Sequence, residues 1–398
     1  MVNNNKNKIL FVTSAYPRYK GEERDMFIFE LTKGLSNEFE IFVLCPLDKH
    51  SKSKEQYGNI NVIRHPQFPF NMLTIAYGSG IVPNLKKNPL LWTGVPFYFL
   101  FQIYFINKIC SLYNINCLHA HWLLPNAFSA ALYKFAFNKK VKLITTLHGS
   151  DVSLFSNFFG KAIKSFTLKH TDKLSVVGIE LKNQIQENFN YKNEIFVYPM
   201  GTDTNIFNFQ ETTKSKHKQI LFVGRLIKEK GIYVLLEALS QLKKYHSDIQ
   251  LHIIGEGNEK MHIQEKIKQL GLVKNIIFHG QILHSELPHY FSMVDIFVLP
   301  SFSEGFGLVL TEAMACRCIT VCSNIKIFKN LIDDEINGFI IKKNTPTELA
   351  TTILKIFNLS EIQKENVKDA ARKKIINNYD TKITLSNYKN LYLQVLNV

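Results

Sequence analysis

The feature that most constrains this chain is a rhythm running along nearly its whole length. Short apolar runs alternate with longer stretches of helical period. Runs at 8–13, 39–45, 116–119, 141–147 and 173–177 read as strands, and segments such as Asp25–Leu35 and Leu123–Phe137 between them read as helices. Strands that alternate with helices are predicted to form parallel sheets covered on both faces. The rhythm restarts after Asn205–Lys218, a polar stretch rich in Lys, Thr and Gln. Strands then follow at 219–223, 249–254, 275–278 and 295–299, with helices at 231–244, 259–270 and 308–316. The expected architecture is α/β: two Rossmann-like, doubly wound domains, residues 1–200 and 201–375, joined near 200–217. Residues 376–398 are expected to form a helix returning to the first domain.

Composition matters at a few points. A length of 398 residues suits two cores rather than one. With 46% hydrophobic and 20% charged residues, a disordered chain is excluded. The formal charge of +15 asks for an acidic partner: nucleic acid, anionic lipid or a phosphorylated small molecule. The six cysteines show no zinc or disulfide spacing and are expected to be buried thiols in a reducing compartment. The apolar run after Lys8 is short and meets Pro17, so it reads as a first strand rather than a signal peptide, and the expected location is cytoplasmic. Leu90–Ile106 is the only stretch resembling a membrane span. It contains Gly94, Pro96 and Gln102 and would split one sheet across a bilayer, so a core helix is expected. Its flanking Lys86, Lys87 and Lys108, with Trp92, Tyr98 and Tyr104, also suit a helix lying on the cytoplasmic face of a membrane.

Ligands of doubly wound sheets bind outside the carboxyl ends of the strands, which directs attention to the residues after Val12, Leu118, Leu147, Val223, Ile254 and Leu299. The sharpest pattern is Pro300-Ser301-Phe302-Ser303-Glu304-Gly305-Phe306-Gly307-Leu308, leading into a helix that carries Glu312. The glycines let backbone approach a ligand, and free N–H groups at the helix start favour a diphosphate. On its own this pattern also fits a capping Glu304 and a solvated Glu312.

The two glutamates, seven residues apart in this glycine setting, resemble the C-terminal domain of family-four retaining glycosyltransferases of the GT-B fold, in which two Rossmann-like domains face each other across a cleft. Four more stretches carry the resemblance: Gly224-Arg225-Leu226-Ile227-Lys228-Glu229-Lys230-Gly231, Leu251 to Gly257, His279-Gly280-Gln281, and Met200-Gly201-Thr202-Asp203 with Phe207. In the N-terminal half, Tyr16 to Glu23, His119 to Pro125 and Thr146 to Asp151 are family-like, although only Gly21 stands where many members carry paired glycines. Ala76 to Gly80 with Asn84-Leu85 looks like a subgroup making bacterial surface polysaccharide. After Glu312 the chain departs from the family, with Arg317-Cys318-Ile319 and Ile325 to Lys329 replacing glycine-rich turns.

The resemblance implies that a sugar moves from a nucleotide-diphosphate donor to a saccharide or lipid-linked acceptor with retention, as a hexosyltransferase needing no cofactor beyond that co-substrate. It implies donor contacts from Gly21, Gly224, Arg225, Lys230, Gly255, Gly280, Glu304, Gly305, Phe306, Gly307, Leu308 and Glu312. Arg225 and Lys230 hold the diphosphate, Glu304 the sugar's 3- and 4-hydroxyls, Glu312 the ribose, and His148 lies near the 6-hydroxyl and reacting centre. His121 and Asp151 are acceptor-side candidates. No Asp-x-Asp stands where a metal would be needed, so the two cations are expected to replace Mg²⁺. His119 and His121 are expected on opposite faces of their strand, unable to share a metal. A sugar-nucleotide 2-epimerase on the same scaffold is the alternative. A nicotinamide oxidoreductase lacks its third glycine after Gly255-Glu256-Gly257, and no base-stacking motif supports nucleic acid as a partner.

Overall fold

The computed structural model describes residues 6–23, 26–68, 74–78, 80–149, 157–212 and 215–397. Asp25, Ser79, Ser150 and Asp151 lie outside them. The chain divides into two compact units: residues Met1–Pro199 with Leu385–Val398, and Met200–Thr384.

The first unit is built on eight strands: β1 (Lys8–Val12), β2 (Glu40–Pro46), β3 (Lys54–Tyr57), β4 (Ile60–His65), β5 (Cys117–His121), β6 (Lys142–Leu147), β7 (Lys173–Val176) and β8 (Ile195–Val197). They lie in the order β3-β4-β2-β1-β5-β6-β7-β8. Only β3 runs antiparallel, against β4. Alternate residues of β1 feed different cores. Ile9 and Phe11 pack with Tyr388, Leu391 and Tyr392, while Leu10 and Val12 pack with Ile106, Ile109 and Leu118. A strand buried on both faces must be apolar at every position, so β1 reads as one continuous run.

The second unit contains β9 (Gln219–Val223), β10 (Gln250–Ile254), β11 (Ile276–Gly280), β12 (Ile296–Leu299), β13 (Ile319–Ser323) and β14 (Phe339–Ile341). The order β11-β10-β9-β12-β13-β14 is parallel throughout. Strand order reverses between β9 and β12, and between β1 and β5 in the first unit. Such a reversal opens a crevice at the strands' carboxyl ends.

One expectation needs correcting here. The segment around Leu90–Ile106 forms a 3₁₀ turn, Pro89–Gly94, and a helix, Val95–Tyr113, that packs into the core along one face only. Tyr98, Gln102, Ile106, Ile109 and Cys110 are buried, whereas Phe97, Leu100, Tyr104 and Leu112 are exposed. The stretch is apolar on both sides, so composition alone did not separate the packed face from the bare one. All six cysteines are free and buried.

Candidate active site

In the second unit the loops after β9, β10 and β12 are laced together by backbone. Gly224 N donates to the Ile254 carbonyl (3.0 Å), Leu226 N to the Glu256 carbonyl (3.0 Å), and Phe302 N to the Glu229 carbonyl (2.8 Å). Gly231 has φ +71°, and a Cβ there would stand 1.9 Å from the Pro300 carbonyl oxygen. Gly255, at φ +131°, would place one 2.0 Å from the Gly224 oxygen. Any side chain at either position would push these loops apart.

This lacing brings Lys230 to Glu304. The Lys230 ammonium donates to Glu304 Oε1 at 2.6 Å, and Ser301 Oγ donates to the same oxygen at 2.8 Å. Both side chains are largely buried. Both bonds fall on Oε1. The helix Leu308–Ala315 follows, with Gly307 at its N-cap (φ +93°) and no side-chain cap. Glu304 is therefore not a capping residue. Glu312 is not solvated either: its side chain is 7% exposed, and His284 Nε2 lies 2.7 Å from its Oε1. The helix thus carries a bound carboxylate before its first turn and another inside it. Gly280 has φ +68°, Gly305 is exposed and Phe306 is buried. Arg225 is exposed on the loop after β9.

His284 and Ser301 were not singled out from the sequence. His284 sits in the turn after β11, a strand's carboxyl end, where ligands of parallel sheets also bind.

In the first unit, three histidines cluster at the ends of β5 and β6. His121 Nδ1 and His148 Nε2 are 2.9 Å apart. His119 lies 2.5 Å from the Tyr392 hydroxyl and 2.7 Å from Thr146 Oγ1. The expectation that His119 and His121 face opposite sides of their strand is wrong. Their ring centroids are 4.3 Å apart, because residues two apart on a strand share a face. His148 Nδ1 and His121 Nε2 are buried and have no hydrogen-bond partner among the described residues. Gly21 has φ +93° in an open loop. Three bonds from Arg18 to Glu22 tie that loop: Nε and a terminal guanidinium nitrogen to Oε1, at 2.8 and 2.5 Å, and backbone N to Oε2 at 2.6 Å. Asp151 lies outside the described residues.

Burial holds His148 neutral, its pKa lowered to about 3. His119 is also lowered to about 3, by burial and then by the neighbouring His148. For both, the folded value lies below the unfolded value near 6.5. The folded state therefore binds fewer protons, and stability is lost as pH falls from about 6.5 towards 3. Going from pH 7.5 to pH 5 should cost about 2 kcal/mol for each of these two groups. His119→Gln should flatten the fall in melting temperature over that range, and an equal slope in variant and parent would refute the assignment.

Residues 203–374 match the family described as glycosyl transferases group 1, and residues 26–206 match glycosyltransferase family 4. An uncharacterised glycosyltransferase of Methanocaldococcus jannaschii is 30% identical over 302 residues, covering 73% of this chain and 79% of its own. The Bacillus subtilis glycosyltransferase TuaC, whose name places it in teichuronic acid biosynthesis, is 27% identical and covers 91% of this chain and 92% of its own. Sucrose-phosphate synthase of Thermosynechococcus elongatus shares the fold, with a TM-score of 0.82 at 17% identity over 98% of this chain and 99% of its own. The chain belongs to the group 1 glycosyltransferases, enzymes with two parallel-sheet α/β domains of the GT-B fold.

Proposed function

We propose that this glycosyltransferase takes a hexosyl group from a nucleotide-diphosphate sugar and passes it, with retention, to a saccharide or lipid-linked acceptor in cell-surface polysaccharide synthesis. The observation that carries the donor reading is the Lys230–Glu304 pair at the β9/β12 strand reversal, with buried Glu312 in the helix that follows Glu304. When the anomeric C–O bond breaks, negative charge grows on the β-phosphate. Lys230, Arg225 and the N–H groups at Gly307 and Leu308 are the donors that stabilise it. Lys230 is held in reserve on Glu304 until a diphosphate competes for it. Glu304 takes the sugar's 3- and 4-hydroxyls and Glu312 the ribose. Gly224, Gly255, Gly280, Gly305 and Phe306 supply backbone and packing around the donor, and Gly21 and His148 keep the roles the resemblance gives them.

The acceptor oxygen attacks the face the leaving group departs from, and its proton passes to the departing phosphate. Neither glutamate becomes covalently attached, and no cofactor enters. The relative named for teichuronic acid biosynthesis supports the polysaccharide setting.

A thermal-shift screen of UDP-, GDP- and ADP-sugars identifies the donor, because a ligand that binds only the folded state raises its melting temperature. One nucleotide series should stabilise the protein, and the anomeric NMR coupling of the transferred sugar should match that of the donor. A product of opposite configuration, or no stabilisation by any series, would overturn the reading.

A further inference from the structure

The first unit holds a cavity of about 650 Å³ that the donor chemistry does not use. Its wall carries Arg18, Lys49 and Lys87 against a single carboxylate, Asp48. Arg18 is fixed by Glu22 and lies 3.7 Å from Asp48. Lys49 and Lys87 are exposed and form no ion pair among the described residues. Asn84 Nδ2 donates to the carbonyls of Ile75 (3.0 Å) and Tyr77 (2.9 Å), setting the opposite wall. Arg18 is offset by Glu22 and Asp48, so the uncompensated charge on this wall is that of Lys49 and Lys87, which suits an anion rather than a bare sugar.

At its edge lies Leu91, the start of the apolar segment Pro89–Tyr113. That segment has 25 residues, with 28% of its most apolar stretch buried. Phe97, Leu100, Tyr104, Lys108 and Leu112 follow helical spacing and form one outward stripe. Leu90 and Trp92, in the turn before the helix, are exposed as well. The opposite face packs into the core through Ile106, Ile109 and Cys110, so the helix cannot cross a bilayer without dismantling the sheet. It can lie on one. Lys86 and Lys87 at one end and Lys108 towards the other place positive charge where anionic head groups would sit. The Lys108 ammonium is 5.9 Å from the Tyr104 ring centroid, its stem lying along the stripe.

We propose that this stripe docks on an anionic bilayer and that the adjoining cavity receives the phosphate or diphosphate of an acceptor anchored in that bilayer. This rests on the proposed transfer to a lipid-linked acceptor, with the acceptor-side candidate His121 in the first unit. The apolar tail runs along the stripe and the phosphate turns into the cavity, leaving the acceptor's sugar beyond it.

The test measures binding rather than turnover. The full chain is sedimented with vesicles of phosphatidylcholine and phosphatidylglycerol, and titrated with farnesyl diphosphate, farnesol and inorganic diphosphate. Binding to the mixed vesicles should fall with salt, and Leu100→Gln with Tyr104→Gln should weaken it about tenfold. Farnesyl diphosphate should bind more tightly than either part alone, and Lys49→Ala with Lys87→Ala should weaken it about tenfold. All four side chains are exposed, so melting temperatures should stay at the parent value. Three results would overturn the proposal: no sedimentation of the parent at low salt, unchanged farnesyl diphosphate affinity in the lysine variant, or inorganic diphosphate binding as tightly as farnesyl diphosphate. A lipid-free dimer abolished by the Leu100/Tyr104 changes would assign the stripe to a second copy instead. If these bindings hold while no nucleotide sugar binds, it is the donor reading that fails.

Discussion

Lys230→Ala should lower kcat by about two to three orders of magnitude, the cost of deleting one donor aimed at charge that develops in the transition state. The size follows from where the ammonium sits. It is largely buried, 2.6 Å from Glu304 Oε1, at the sheet's strand reversal. Removing it also leaves a mostly buried carboxylate with Ser301 as its remaining partner. A stability loss of about 1–3 kcal/mol should accompany the kinetic loss. Stopped assays with saturating donor, beside a melting curve, separate the two effects. A folded variant within threefold of parental kcat would remove Lys230 from the chemistry.

The second large effect divides the two glutamates. Glu312→Ala should weaken binding of the nucleotide diphosphate alone by about 10- to 100-fold, the worth of a buried charged hydrogen-bonding group. Glu304→Ala should leave that binding within a few-fold and depress turnover instead, because its proposed partners are on the sugar. Calorimetry with the sugar-free nucleotide, set against turnover with the intact donor, reads the difference. Near-parental values for both variants in both assays would defeat the assignment. The geometry gives the contrast a basis: Glu304 shares its oxygen with Lys230 and Ser301, whereas Glu312 is held by His284 alone among its described side-chain partners.

Much of the architecture was legible because parallel strands buried on both faces leave unbroken apolar runs. Residues 9–12 and 220–223 are such runs, and both lie in central strands. β3 was invisible for the opposite reason. Its sequence, Lys54-Glu55-Gln56-Tyr57, is an edge strand's, and edges are kept polar against unwanted pairing. β14, with three residues, is too short to show a period.

At the candidate site, glycine spacing and paired carboxylates drew attention to the loop that holds Glu304. The partnership between Lys230 and Glu304 did not show, since 74 positions separate them and only the pairing of β9 with β12 makes them neighbours. His284 was hidden because a lone histidine in a turn carries no pattern. The bare face of Val95–Tyr113 was hidden because exposed aromatic and aliphatic residues look the same in sequence as buried ones.

The first unit's core is closed by residues made almost two hundred positions after the rest of it. Tyr388 hydrogen-bonds Thr146 and Ser175, and Tyr392 bonds His119. On the ribosome, the strands that carry His121 and His148 must therefore wait for the whole second unit to be synthesised before their last neighbours arrive. Order of translation and order of completion are reversed for the two halves. The unit that begins first is the one that finishes last.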